Sequence, residues 1–227
     1  MAKRCMDIML SAAALLAFLP FGIVIALMLR LTGEGEIFYS QTRLGREKKH
    51  FQCLKFATML KDSPSIGTGV VTVRDDPRVL PLGKFLRKSK LNEVPQLINI
   101  LKGEMSIVGP RPVAHTDYPD LSLEDQKVLF SVTPGLTSIG SVVFRDEERL
   151  TSNSPKGALR CYHEDIDPLK AKLELWYIKN MSLWLDCQII ALTAWVILFP
   201  TSTAYRRLLG PGWDADFEPL FGENQTK

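Results

Sequence analysis

An amide and an acid stand side by side in the stretch RKSKLNEVPQLINILKGEMSIVGPRP, which covers residues 87–112. The amide is Asn92 and the acid is Glu93. Pro95 is tolerated only in the first turn of a helix, so we predict a helix that begins near Asn92. Asparagine is a favoured N-cap and acids favour a first turn, so helix capping alone would explain both residues.

The residues on both sides of this pair point instead to phosphate chemistry. Arg87 lies one or two turns before it, and Arg111 follows in GPRP, a loop stiffened by a proline on each side. A helix N-terminus attracts phosphate, and the planar fork of arginine suits phosphate oxygens. An acid that holds a divalent metal, with flanking cations, supplies the parts of a phosphoryl-transfer site.

Two kinds of element are predicted to position these groups. Strands are predicted at residues 37–43 and 51–56, joined by a turn with Gly45 and a basic tip. Lys55 shares a strand face with Phe51 and Cys53, which makes it either a site group or a lysine that reaches out to water. The helix that ends at Gly103 is predicted to bury one apolar face, formed by Val94, Leu97, Ile98 and Leu101.

Composition excludes several classes of protein. The chain has 227 residues, 23% of them charged, and a net charge of +3, which is far less basic than is usual for a nucleic-acid-binding protein. The four cysteines are scattered without CxxC spacing, which fits a reducing compartment and argues against a zinc site. The 46% of hydrophobic residues are enough for a packed core.

A long apolar run near the N-terminus predicts membrane contact. Ile8–Leu29 carries no charge and would extend roughly 33 Å as a helix, enough to cross a bilayer core. A cleaved signal peptide, a kinked spanning helix and a re-entrant helix broken at Pro20 are the alternatives. Lys3 and Arg30 lie on opposite flanks, and the positive-inside rule places both flanks in the cytoplasm, which favours the re-entrant helix.

The C-terminal third contains a shorter apolar run. Residues 187–199 fall below the roughly 17 residues that span a bilayer, so they form either an interfacial helix or a core helix. The predicted fold is α+β and mostly helical, with amphipathic interfacial helices. We predict a membrane anchor at residues 1–32, a membrane-surface domain at 33–210 and a loose C-terminal tail at 211–227.

Several ordered motifs resemble those of a known family. LNEVPQLINILKGEMSIVGPRP resembles the signature of the bacterial sugar transferases called monotopic phosphoglycosyl transferases. FYSQTRLGREKKHFQCLKFATM, DDPRVLPLGKFLRKSKLNE, VTPGLTS and LELWYIKNMSLWLDCQIIALTAWVIL resemble further segments of that family, and KRCMDIML followed by a proline resembles its opening. Together these matches extend over about 190 residues.

The resemblance implies an enzyme that transfers a sugar 1-phosphate from a nucleoside diphosphate sugar, usually a UDP-sugar, to polyprenyl phosphate, with release of UMP. It implies Mg²⁺ as cofactor and placement at the cytoplasmic face of the bacterial inner membrane. Glu93 takes the place of the family's acidic Glu, as catalytic residue and metal ligand. Lys55, Arg87 and Arg111 take the places of its substrate-binding cations, and Pro20 that of its helix-breaking proline.

The departure from the family falls at Asn92, which stands where the family has a nucleophilic Asp. An amide cannot form an acyl phosphate, which leaves three accounts of the attack. Glu93 is the nucleophile, another acid supplies the attack, or the lipid phosphate attacks directly in a ternary complex. The candidate extra acids are Asp146, Glu147 and Glu148, for which a solvated loop is the structural alternative.

A rival hypothesis makes the chain a catalytically silent family member that binds nucleotide-sugar or lipid as an assembly partner. Asn92 is its only support. The expected partners are polyprenyl phosphate, a nucleotide-sugar and membrane lipid, with no nucleic acid. The sequence names neither the sugar nor the oligomeric state, and a homo-oligomer stays open.

Overall fold

The computed structural model describes residues 1–66, 72, 75–114, 121–152 and 154–221. Helices dominate the described residues and two small sheets accompany them, which confirms the predicted α+β, mostly helical class. The helices are α1 (Ala2–Leu31), α2 (Pro81–Lys88), α3 (Gln96–Lys102), α4 (Leu123–Leu129), α5 (Ile139–Val143), α6 (Glu147–Ser152), α7 (Ala158–Cys161), α8 (Asp167–Lys179), α9 (Leu183–Leu198), α10 (Tyr205–Leu209) and α11 (Asp214–Phe221). The strands are β1 (Phe38–Leu44), β2 (His50–Phe56), β3 (Ser106–Val108), β4 (Val113–Ala114) and β5 (Gly135–Thr137).

The predicted hairpin is confirmed to within one residue at three of its four ends, and its second strand ends at Phe56 as expected. Strands β1 and β2 pair antiparallel, with Tyr39 opposite Lys55. Strand β4 joins the other edge of β1, and β3 pairs parallel with β5 in a second sheet. The short link between β3 and β4 contains Arg111, so the two sheets hold this arginine from both sides.

The segment after α2 differs from the prediction. Leu91–Glu93 forms a single 3₁₀ turn, and α3 begins only at Gln96, with no side-chain cap. Asn92 therefore caps neither helix, and the capping explanation for it was wrong. Gly103 ends α3 at a φ of 89°, a left-handed conformation that favours glycine.

The buried face of α3 was predicted only in part. Leu97 is buried as expected, but Ile98 and Leu101 are exposed, and Ile100 is fully buried instead. The physical reason is that α3 packs between α1 and the hairpin, where Ile100 and Leu97 meet Phe51, Cys53 and Met105. The remaining apolar side chains of α3 face outward.

Helix α1 runs from Ala2 to Leu31 with Pro20 inside it, so the proline does not end the helix, and the bend at Pro20 stays a prediction. Its first turns are tied to the domain by Arg4, which donates to the backbone carbonyls at the end of α3, and by Asp7, which accepts from Ser106 and Ile107. Its far end packs Ile25 and Leu29 against Phe56 and Leu86. Both ends of this helix therefore contact the same domain.

The largest core lies between α5, α8, α9 and the C-terminal helices. Tyr177 and Ile189 are fully buried at its centre. Trp213 and Phe217 are also buried there, although the sequence predicted a loose tail from residue 211. That prediction was wrong for residues 211–221, because two large aromatic side chains bury their rings against α8 and α10. Residues 222–227 lie outside the described part of the chain.

Candidate active site

Glu93 is held by a two-point contact with Arg111. Arg111 Nη2 donates to Glu93 Oε1 at 2.8 Å, and Arg111 Nη1 donates to Glu93 Oε2 at 3.1 Å. The same Nη1 also donates to the carbonyl of Leu136 in strand β5 at 2.7 Å. The 3₁₀ turn presents the acid and the β3–β4 link presents the arginine. Sequence analysis predicted both residues as site groups, and the structure brings them together.

Lys55 completes this contact from strand β2, with its Nζ 3.7 Å from Glu93 Oε1. Burial alone would raise the pKa of the Glu93 carboxyl, but the charges of Arg111, Lys55 and Lys90 outweigh burial and hold that pKa far below 4.5. Burial also lowers the pKa of the Lys55 ammonium, against the attraction of Glu93. Glu93 is therefore ionised at any physiological pH, and its negative charge is already shared among cations.

Asn92 lies beside this ion pair and is buried, with 6% of its surface exposed. Its side-chain Oδ1 has no hydrogen-bond partner among the described residues. Gln96 follows one helical turn later, is 1% exposed, and likewise leaves both atoms of its amide group without a described partner. Buried polar groups without a partner are costly and mark a place where a ligand or water is expected. Sequence analysis missed Gln96, although its spacing of four residues from Asn92 was the available signal.

These residues line one large cavity of about 1590 Å³. Arg87 lines it from α2, with its Nη1 3.7 Å from Met59 Sδ, and it makes no described contact with Glu93. The predicted site residues that share this cavity are Lys55, Arg87, Asn92, Glu93, Arg111, Asp146 and Glu147.

The acidic trio after the VTPGLTS loop is engaged mainly with its own cations. Asp146 pairs with Arg149 at 3.2 Å, and both side chains are about half exposed. Glu147 forms an ion pair with Lys170 on α8. The side chain of Glu148 lies outside the described ones. Asp146 and Glu147 therefore line the cavity as paired acids, and neither contacts Asn92 or Glu93 in the described structure.

Glu174 on α8 is a cavity acid that sequence analysis did not identify. It is 6% exposed and lines the same cavity. Burial raises the pKa of its carboxyl to about 7, against hydrogen bonds from Ser138 and Gly140 and the charge of Arg111. The sequence signal was a lone acid inside the apolar run LELWY.

The site offers few side-chain ligands for the Mg²⁺ that the resemblance implies. The described residues contain no group of three His, Cys, Asp or Glu side chains able to hold a metal. Glu93 and the unpartnered Oδ1 of Asn92 are oxygen donors of the kind that Mg²⁺ accepts. Mg²⁺ is commonly held by one or two protein oxygens together with substrate phosphates and water, so these residues fit an ion that arrives with a diphosphate.

Comparison with known proteins decides the family. The model of the family "Bacterial sugar transferase" matches residues 1–200. The chain belongs to this family. The match confirms the resemblance inferred from the ordered motifs, and it covers α1, both sheets and the whole candidate site.

Relatives within the family include the exopolysaccharide production protein ExoY of Rhizobium meliloti, 31% identical over 84% of this chain and 82% of that protein. The undecaprenyl-phosphate glucose phosphotransferase of Komagataeibacter xylinus is 34% identical over 84% of this chain and 35% of that protein. The undecaprenyl-phosphate galactose phosphotransferase of Salmonella typhimurium is 31% identical over 86% of this chain and 40% of that protein. This chain spans 35% to 43% of the length of five such relatives.

Proposed function

We propose that this sugar transferase moves a sugar 1-phosphate from a UDP-sugar to polyprenyl phosphate and releases UMP, as a first step of bacterial polysaccharide or glycoconjugate synthesis. The observation that carries the proposal is the partly buried Glu93, held between Arg111 and Lys55 in a cavity of about 1590 Å³. Two relatives are named undecaprenyl-phosphate phosphotransferases for glucose and for galactose, which agrees with this substrate class.

The cations supply the binding energy for the diphosphate. Arg111, Lys55 and Arg87 line the cavity, and a guanidinium binds two phosphate oxygens at once. Positive charge aimed at the transferring phosphate also stabilises the charge that develops in the transition state. In the bound state the diphosphate competes with Glu93 for Arg111 and Lys55.

Glu93 and Asn92 are both unsuited to attack the donor. Asn92 has no ionisable oxygen. Glu93 has both carboxylate oxygens engaged by Arg111, and a pKa far below its ordinary value makes its carboxylate a weak nucleophile. We therefore favour direct attack by the lipid phosphate. Its oxygen forms a bond to the phosphorus that carries the sugar, the bond from that phosphorus to UMP breaks, and UMP leaves with the electron pair.

Bound together with the diphosphate, Mg²⁺ would supply positive charge to offset the charge on the leaving UMP. Glu93 and Asn92 are the residues that would hold it. Without nucleotide, three cations already surround Glu93, so tight Mg²⁺ binding to the free protein is not expected. Isothermal titration with Mg²⁺, in the presence and absence of a UDP-sugar, checks this order of binding.

Helix α1 is proposed to lie in the membrane surface as a monotopic anchor on the cytoplasmic side of the inner membrane. It is the one helix of the described residues that is long and apolar enough to cross a membrane. Two features favour the surface position. Lys3 contacts Asp186 on α9 at one end, and Leu29 packs on the domain at the other. Its outward face is apolar and exposed, and includes Leu16, Leu19, Phe21, Val24, Leu27 and Leu31.

The decisive experiment is a panel of UDP-sugars with purified protein, Mg²⁺ and polyprenyl phosphate, read by UMP release. Turnover is expected with at least one sugar. The same panel with Glu93→Gln is expected to lose turnover, and the exposed Glu124→Gln on α4 is the matched control. Folded wild-type protein that binds a UDP-sugar yet releases no UMP would support the silent-member hypothesis and contradict the proposal.

The order of attack has its own test. Wild-type protein is incubated with a UDP-sugar labelled in the phosphate next to the sugar, without lipid. Direct attack predicts no labelled phosphosugar on the protein. A trapped adduct would exclude it, and mass spectrometry of the labelled peptide would identify the nucleophile.

A further inference from the structure

The residues packed around Glu174 fix its position in the wall of the cavity. Helix α8 buries Leu173 and Tyr177 in the core on either side of it, which fixes the position of the acid. Ser138 and the backbone of Gly140 lie beside this carboxyl group and oppose the rise in its pKa that burial causes. A methyl group added at Gly140 would lie 2.7 Å from Glu174 Oε1, so any larger residue here requires the carboxyl group to shift.

The second oxygen of this carboxyl group is unused. Glu174 Oε2 is buried and has no hydrogen-bond partner among the described residues. A buried carboxylate oxygen without a donor is costly in an apolar surrounding, unless a ligand supplies the donor. Because Glu174 lines the cavity, a molecule bound there can reach it.

The surroundings indicate which part of the ligand this is. The cations around Glu93 form one wall of the cavity, where the diphosphate is expected. Glu174 belongs to a second wall, which is mostly uncharged but is faced by Arg111 and Lys170. Its partner Ser138 adjoins Thr137, whose hydroxyl lies 2.7 Å from that of Thr193 on α9. Other members of this wall are Gly140, Ser141, Ile190 and Ala194.

Few charged or titratable groups of the described residues face Glu174. They are Arg111 from the β3–β4 link and Lys170 one turn earlier on α8, and Tyr177 lies one turn later. Lys170 is engaged by Glu147. These cations do not offset burial, which leaves the carboxyl with a pKa of about 7 and therefore partly protonated near neutral pH.

We propose that Glu174 fixes the uncharged part of the nucleotide-sugar, with Oε2 of its carboxylate accepting a hydrogen bond from a hydroxyl or N–H group of the donor. This role rests on the proposed function and adds a specificity-determining residue to it. A buried carboxylate bonded to a substrate hydroxyl rejects an analogue without that hydroxyl, because its own oxygen is then left unpaired.

The proposal has a consequence for pH. The ligand binds the ionised carboxylate, so its binding releases the proton that a part of the Glu174 population carries. Affinity is then expected to level off above pH 7 and to fall as the pH drops below 7. A nucleotide-sugar is a clean probe, because its diphosphate is a diester without an ionisation near neutral pH.

The first measurement uses wild-type protein. Titration calorimetry with a UDP-sugar that the protein turns over, in two buffers of different ionisation enthalpy, reports the protons released on binding. More than half a proton is expected at pH 6.5 and almost none at pH 8.5. Proton release that is absent at pH 6.5 would overturn the proposal, and no variant has to fold for this result.

The second measurement uses Glu174→Gln, with the exposed Glu124→Gln as control. The amide keeps an acceptor for Ser138 and Gly140 but loses the charge. We expect an affinity for the UDP-sugar roughly tenfold lower at pH 8, since hydrogen bonds to charged groups are the stronger ones, and no fall below pH 7. Equal affinities of wild type and Glu174→Gln at every pH would contradict the proposal.

Two ligands identify the source of the hydrogen-bond donor. If the Glu174→Gln loss appears with UDP as well as with the UDP-sugar, the group belongs to the nucleoside. If it appears only with the UDP-sugar, the group belongs to the sugar. Both results support a role in recognition. A wild-type protein that binds no UDP-sugar at all contradicts the proposed function, whereas binding that ignores Glu174 contradicts only this inference.

Discussion

Two carboxyl groups, one partly and one fully buried, line one cavity and behave in opposite ways. Glu93 lies among Arg111, Lys55 and Lys90, and its pKa falls far below the ordinary value. Glu174 is more deeply buried and meets mainly neutral groups apart from Arg111 and Lys170, and its pKa rises to about 7. Burial disfavours the charged form in both, so the difference comes from the partners. This difference supports the proposal that one wall of the cavity binds phosphate and the other binds hydroxyl groups.

Removing the guanidinium of Arg111 should have the largest effect on the difference between Glu93 and Glu174. Arg111→Ala leaves the partly buried Glu93 without its two-point partner and removes a phosphate-binding guanidinium. We expect the kcat/KM for UMP release to fall by roughly 100-fold to 1000-fold. Arg111→Lys keeps the positive charge but not the planar guanidinium group. Its kcat/KM should therefore lie between those of wild type and Arg111→Ala. The control is Arg160→Ala, an exposed arginine on α7. Activity within threefold of wild type would contradict the assignment of Arg111.

Opposite pH dependences of stability would sharpen the contrast. The folded-state pKa of Glu174 lies above its unfolded value, so the folded protein binds the extra proton and stability falls as the pH rises from about 4.5 to 7. Glu174→Gln removes this fall, which amounts to about 3 kcal/mol at most. Glu93 has a depressed pKa, so its contribution is present above about pH 4.5 and is lost on acidification.

Thermal unfolding in detergent from pH 3 to 8 checks both signs. Glu174→Gln should gain stability relative to wild type as the pH rises to 8. The loss of stability that Glu93→Gln causes relative to wild type should be smallest near pH 3. The contrast would fail if the two variants showed parallel pH profiles.

Gly140→Ala moves Glu174 without changing its charge. The added methyl group would lie 2.7 Å from Glu174 Oε1, so the carboxyl group must move from its position. We expect an affinity for the UDP-sugar about tenfold lower, comparable to the loss of one charged hydrogen bond. The matched control is Gly212→Ala, where a methyl group meets nothing within 4 Å. An unchanged affinity in Gly140→Ala would show that the position of the Glu174 carboxyl group does not matter for binding the UDP-sugar.

Local spacing explains what could be predicted from the sequence. The hairpin follows from strand patterning around Gly45, and the motif containing Glu93 and Arg111 lies within about 20 residues. Glu174 comes about 80 residues later, and only the packing of α8 against α5 brings it to the cavity. An acid within LELWY is indistinguishable by pattern from a surface acid. The wrong expectations for α3 and for residues 211–221 have the same origin, because apolar side chains occur on more than one face and only tertiary contacts select the buried one.

The remaining acids of the cavity should matter least. Asp146 pairs with Arg149 at the surface, where water screens the pair, and such pairs contribute little. We expect Asp146→Asn to change the free energy of unfolding by less than about 0.5 kcal/mol and the rate of UMP release by less than about twofold. Unfolding and turnover assays run beside Glu174→Gln check both values. A loss of activity as large as that of Glu93→Gln would instead identify Asp146 as the second carboxylate of the site. The division of the cavity into one charged and one neutral wall would then be incomplete.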